Sequence, residues 1–166
     1  MATDAAHTHW WEIGEVVFGL PLVASVLLQL TVPLTSVRPI FTPLLGIVGI
    51  ILCGSGIGFV VATRRELVKY RQPTDPGQPT HQMVTTGVFS VSRNPMYLGA
   101  VCFLFGIALV FKLAWLLILL APTLVACHLV LIAPEERYLR AKFGETYEHY
   151  ESSVYRWFGR KRRRVV

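Results

Sequence analysis

The chain has 166 residues, of which 53% are hydrophobic and only 16% charged, against about a quarter charged in an ordinary soluble domain. The mean hydropathy is positive, and the charges cluster between and after long uncharged stretches. That distribution excludes a soluble core and indicates an all-α integral membrane protein forming one domain, residues 1–166. The net charge of +6 does not imply nucleic acid. Arg160, Lys161, Arg162, Arg163 and Arg164 form a C-terminal cluster of the kind that meets anionic lipid headgroups. Cys53, Cys102 and Cys127 lie far apart in apolar runs without CxxC spacing, so neither a disulfide framework nor a metal site is expected. Residues 1–12 hold Asp4 and Glu12 and lack a basic n-region, so a cleavable signal is not expected.

The first apolar run, residues 13–34, contains Glu15 near its start and is interrupted by Pro21 and Pro33. The second, 40–62, is rich in glycine, and its Gly54–Gly58 pair is a GxxxG spacing that lets helices approach closely in lipid. Both are long enough to span a bilayer. Residues 64–95 then turn polar and basic, with Pro73, Pro76, Gly77 and Pro79 precluding a continuous helix, and read as a loop on the membrane surface. The third apolar block, 95–133, is too long for one span. Lys112 near its middle marks a turn at the opposite face, giving a helical hairpin. In the tail, 134–166, Phe143, Tyr147, Tyr150 and Val154 share one helical face. Such a face lies on the membrane surface or folds back over a site. The loop and tail form a cap on one side of about four transmembrane helices. Basic residues concentrate on that side, with only Arg38 and Lys112 opposite, so the positive-inside rule places both termini and the cap in the cytoplasm.

Three motifs converge on the cytoplasmic side: His81-Gln82-Met83-Val84 with Gly87 and Phe89; Ser92-Arg93-Asn94-Pro95-Met96-Tyr97; and Glu135-Glu136 followed by Phe143-Gly144-Glu145. Singly each has a structural reading. Asn94-Pro95 looks like an N-cap with proline at the first helical position, and Pro134-Glu135-Glu136 like a helix start with acids in its first turn. In combination they suggest a site. A helix start offers free N–H groups to a carboxylate, while two acids can hold an ammonium or ribose hydroxyls. S-adenosylmethionine carries all of these groups, and no Walker or Rossmann fingerprint is present. Arg93 suits a carboxylate or an anionic acceptor. Arg93 and Glu135 are the residues expected to act at the reacting centre.

Over residues 81–157 the sequence resembles the isoprenylcysteine carboxyl methyltransferases and their bacterial and phospholipid-methyltransferase relatives. The resemblance is carried by H-x-x-V-T-x-G-V-F (81–89), S-R-N-P-M-Y-L-G (92–99), E-E (135–136) and F-G-E-x-Y-x-x-Y (143–150). It implies a helical membrane enzyme that binds S-adenosylmethionine from the cytosol and takes a lipophilic small molecule or lipid from the bilayer. The cofactor-lining positions it implies are His81, Gln82, Met83, Val84, Gly87, Phe89, Asn94, Pro95, Met96, Tyr97, Glu135 and Glu136. Asn94 stands where that family usually has histidine and cannot take up a proton. Leu131 stands where isoprenylcysteine enzymes have an acceptor-binding arginine, which argues against a prenylcysteine carboxylate. The acceptor is therefore left as a lipophilic carboxylate, amine or thiol. Two rival readings are an NADPH-dependent membrane reductase of related architecture and a non-enzymatic lipid-binding scaffold.

Overall fold

The computed structural model describes residues 14–34, 42–73 and 80–161. The Arg38 loop, the turn through Pro76, Gly77 and Pro79, the N-terminal Asp4 and Glu12, and Arg162–Arg164 of the basic cluster lie outside the described residues. Regular structure among the described residues is helical, apart from one isolated bridge between Val154 and Arg160. The helices are α1 (Gly14–Thr31), α2 (Thr42–Lys69), α3 (Pro95–Val110), α4 (Ala114–Ala126), α5 (Ala133–Phe143) and α6 (Glu145–Ser153), with a 3₁₀ turn at Gly87–Ser90. Helices α1, α2 and the continuous stretch Ala114–Phe143 are long and apolar enough to cross a membrane; α3 is shorter. Their outer faces expose Leu20, Leu27 and Leu30 on α1 and Ile47, Ile50 and Ile51 on α2. In water such faces would aggregate; against lipid tails they cost nothing. The protein is an all-α integral membrane protein.

Helices α2 and α3 pack antiparallel through glycines. A Cβ on Gly49 would sit 2.8 Å from the Gly106 carbonyl oxygen, and one on Gly56 would sit 2.6 Å from that of Gly99. Seven residues separate the two contacts on each helix, so they share a face. The GxxxG pair does not supply this packing. Gly54 and Gly58 have no neighbouring atom within 4 Å of a built Cβ, because they lie on the other side of α2.

Helix α2 runs on through Arg64, Arg65, Glu66 and Lys69, so the polar segment begins as helix rather than loop. Nothing in that stretch breaks a helix, and arginine, glutamate and lysine favour one. The α3–α4 turn is tight, with Lys112 at φ 55° and the Leu113 amide donating to the Ala108 carbonyl at 2.9 Å. The Trp115 indole N–H donates to the Val32 carbonyl at 2.8 Å and ties the end of α1 to this turn.

Pro134-Glu135-Glu136 does not begin a helix. Chain α4 continues through a π segment, Cys127–Ile132, directly into α5, and Ile132 and Ala133 have ordinary helical dihedrals. Pro134 has no N–H for the Val130 carbonyl four residues back, and its ring crowds that carbonyl. The wider π turn containing Val130 accommodates both defects. At Gly144, φ 49° and ψ −126° separate α5 from α6. The aromatic face thus spans a break, and it folds back over the site. Tyr147, Tyr150 and Val154 form a buried cluster with Met83, Phe89, Leu139 and Phe143. The tail is pinned where α3 begins, with the Arg93 amide donating to the Tyr155 carbonyl and the Gly159 amide to that of Val91.

Candidate active site

One cavity of about 400 Å³ lies where these elements meet. Gly14, Glu15 and Phe18 of α1 form one wall and Val60, Thr63, Arg64 and Leu67 of α2 another. Helix α2 packs chiefly on α3 and helix α1 chiefly on α4, with little contact between α1 and α2, so the cavity lies between them. Gln82, Met83, Val84 and Phe89 line it from the irregular segment. Asn94, Pro95, Met96, Tyr97 and Ala100 come from the start of α3, and Glu135, Glu136, Tyr138 and Leu139 from α5. Gln72, Pro73, Thr80, Arg93, Tyr147 and Tyr150 complete the lining.

Of the twelve cofactor-lining positions inferred from sequence, ten therefore face one cavity, and Arg93 joins them. His81 and Gly87 do not line it. The His81 residue is exposed, and its backbone amide donates to the Gln72 side-chain carbonyl at 2.8 Å. Gly87 has φ 57°, and a Cβ there would meet the Glu66 carboxylate at 2.7 Å. It is glycine for the turn and for Glu66. Asn94 does not cap α3 with its side chain. Its Nδ2 instead donates to the Arg156 carbonyl at 3.2 Å, and its amide donates to Ser92 Oγ at 3.1 Å.

The two acids of the pair face different partners, as adjacent helical residues must. Glu136 is buried and accepts from Arg156 Nε and Nη2 at 3.0 and 2.6 Å, a bidentate geometry, and lies 3.2 Å from Arg93 Nη1. Arg93 Nη1 also donates to Glu151 at 2.7 Å, and Arg140 donates to the other oxygen of Glu151. Three guanidiniums thus share two carboxylates, leaving one positive charge in excess beside the cavity. The Arg93 side chain is only 6% exposed, yet its Nε–H is buried without a hydrogen-bond partner among the described residues. Burial pushes the Glu151 carboxyl up, but hydrogen bonds and charge from Arg140 and Arg93 outweigh it and hold it below the ordinary carboxylate range. Burial, then the Glu136 charge, push the Tyr147 phenol up to about 12, so it is a neutral hydroxyl at physiological pH.

Glu135 is engaged differently. It forms no ion pair among the described residues and lines the cavity together with the Tyr97 phenol. The phenol also stands 6.4 Å, ring to ring, from Phe18 of α1. One end of the lining is therefore cationic through Arg93, and another is acidic through Glu135 with Tyr97. Met83, Val84, Phe89 and Leu139 supply apolar surface.

Sequence reasoning missed the contributions of α1 and α2, namely Glu15, Phe18, Thr63 and Arg64, and of Gln72. Glu15 carried a signal, since an acid at the edge of a span is costly without a role. The others read as ordinary span or loop residues. Arg156 and Glu151 also went unnoticed, because only the fold brings them to Glu136 and Arg93.

A family model described as phospholipid methyltransferase matches residues 44–146. No curated protein and no solved structure matches the chain significantly.

Proposed function

The chain belongs to the phospholipid methyltransferase family and is a membrane methyltransferase, and from that premise we propose that it uses S-adenosylmethionine and transfers the methyl group to a lipophilic acceptor. The observation that carries this reading is the charge pattern of the cavity. Arg93, whose buried Nε–H has no partner among the described residues, and Glu135, which forms no ion pair among them, line the same cavity. That pairing suits a ligand bearing both a carboxylate and cationic groups. The residues fit the cofactor on chemical grounds: Arg93 for its carboxylate, Glu135 and Tyr97 for its ammonium or ribose hydroxyls, and Met83, Val84, Phe89 and Leu139 for its adenine. Bound there, the cofactor supplies an electrophilic methyl group on a sulfonium.

The protein's part is to align the acceptor and exclude water, and such positioning alone can lower a barrier by several kcal/mol. The aromatic cluster of Tyr147 and Tyr150 closes the cavity on one side, and the Tyr150 hydroxyl donates to the Phe89 carbonyl at 2.6 Å, fixing that closure. Glu135 is the group available to take a proton from a protonated acceptor. The acceptor reaches the cavity from the bilayer between α1 and α2, past Phe18 and Val60, with Glu15 and Arg64 at the same walls. Leu131 is fully buried in the core cluster beside Phe18 and Leu104, so nothing there replaces an acceptor-binding arginine. The acceptor is a lipophilic amine, carboxylate or thiol. Four spans, with the cavity and both termini in the cytoplasm, complete the proposal.

The direct test incubates the purified protein in lipid with methyl-labelled S-adenosylmethionine and a membrane lipid extract. Label in an extractable lipid product supports the reading. Absence of labelled product together with oxidation of NADPH would replace it with the reductase reading.

A further inference from the structure

The segment that lines the cavity through Gln82, Met83 and Val84 has no helix or strand of its own. Its backbone must be held by something else. Helix α2 ends in a Schellman arrangement. The Arg71 amide donates to the Val68 carbonyl and the Gln72 amide to the Leu67 carbonyl, both at 2.9 Å, with Arg71 in the left-handed region at φ 52°. This reversal buries Gln72, which is only 7% exposed. Its side-chain carbonyl accepts the backbone amides of both His81 and Gln82, at 2.8 and 3.2 Å, and its Nε2 donates to the Tyr70 carbonyl at 3.0 Å. The Gln82 side chain returns to the same Tyr70 carbonyl at 3.0 Å. A second tie follows at the far end of the segment. Thr86 Oγ1 donates to Glu66 Oε1 at 2.6 Å and lies 2.9 Å from the Tyr70 hydroxyl.

We propose that Gln72, seconded by the Thr86–Glu66 bond, is a positioning residue for cofactor binding: it holds the backbone of residues 81–86 against the end of α2 so that Gln82, Met83 and Val84 face the cavity. The proposal rests on the cofactor reading above. Gln72 does this with a single acceptor oxygen serving two consecutive amides, so the acceptor is what matters and not the size of the side chain. Gln72→Met keeps the length and removes the acceptor; Gln72→Glu keeps an oxygen for both amides but sets a second oxygen in place of the Nε2 donor, facing the Tyr70 carbonyl. Thr86 does not line the cavity, so an effect at Thr86 cannot come from lost contact with the ligand.

The experiment measures S-adenosylhomocysteine affinity by calorimetry in lipid nanodiscs for the wild type, Gln72→Met, Gln72→Glu and Thr86→Val, with a melting curve on each. Gln72→Met is expected to bind about tenfold more weakly, the scale of one or two net hydrogen bonds. Thr86→Val weakens binding in the same direction, and Gln72→Glu, which keeps the acceptor but loses the bond to the Tyr70 carbonyl, binds less tightly than wild type. In turnover, KM for the cofactor rises in Gln72→Met while kcat at saturation holds. If the wild type itself does not bind, the cofactor reading fails and this proposal falls with it. If the wild type binds and Gln72→Met and Thr86→Val match it within twofold, the positioning role is overturned. Should Gln72→Met not fold, Thr86→Val, at a position that does not line the cavity, carries the same decision.

Discussion

Glu135 and Glu136 are adjacent, yet they meet different partners, and two conservative substitutions separate the roles proposed for them. Glu136→Gln removes a buried carboxylate that serves Arg156 in bidentate fashion and Arg93. Breaking a buried ion pair by removing one partner costs about 3–5 kcal/mol. Here the lower end applies, because Arg93 keeps Glu151 and the Arg156 side chain is 37% exposed and can recruit water. For a chain of this size about 3 kcal/mol lowers Tm by roughly 6–12 °C. Glu135→Gln leaves no cation unpaired among the described residues and keeps the side chain's shape, so its Tm without ligand should move by less than about 2 °C. Loss of its charge-assisted bond to the cofactor should weaken S-adenosylhomocysteine binding about ten- to a hundredfold. Melting curves and calorimetry on both variants give the comparison. A stable Glu136→Gln protein with normal folding and lost binding would refute the assignment, as would a Glu135→Gln protein that melts early but binds normally.

The glycine contacts between α2 and α3 predict a sharp contrast along one helix. Gly56→Ala drives a Cβ onto the backbone of Gly99 and Phe103 and should cost about 1–3 kcal/mol. Gly54→Ala meets open space and should stabilise by about 0.5–1 kcal/mol; equal melting temperatures would contradict the packing. Glu151 is held below the ordinary carboxylate range when folded, so its contribution is present above that range and is lost as pH falls through its folded value. A melting series from pH 7 to pH 3 should show that loss in the wild type and a smaller one in Glu151→Gln. For topology, a cysteine introduced at the exposed His81 should react with an impermeant thiol reagent from the cytoplasmic side and one at Lys112 from the other; reaction of both from one side would refute the orientation.

Membrane class, the hairpin turning at Lys112 and the convergence of three motifs were legible because each depends on local pattern: apolar length, one charge in an apolar block, short conserved-type spacings within a few residues. What was not legible depends on register across elements. Gly54–Gly58 matches the known spacing, but which face of α2 meets α3 is settled by Gly99 and Gly106, more than forty residues on. Pro134 followed by two acids reads locally as a helix start. The preceding helix reaches it only by widening into a π turn, an accommodation that no propensity announces. Glu136 lines the cavity as expected, but its ion pair was not legible, because Arg156, its bidentate partner, arrives from a tail whose path over the site is set by Gly144 and by the bonds of Tyr155 and Gly159 to residues 91–93. Gln72 read as a loop residue, since its role exists only once Arg71 turns left-handed and brings it under residues 81 and 82.

The central proposal is that the cavity is a site for S-adenosylmethionine, with Arg93 receiving its carboxylate through the Nε–H that has no partner among the described residues. The most direct measurement is a calorimetric titration of the wild-type protein in lipid nanodiscs with S-adenosylhomocysteine and, separately, with NADPH. The expected result is saturable binding of S-adenosylhomocysteine at one site per chain and much weaker binding of NADPH. Tight NADPH binding with no heat from S-adenosylhomocysteine would contradict the account.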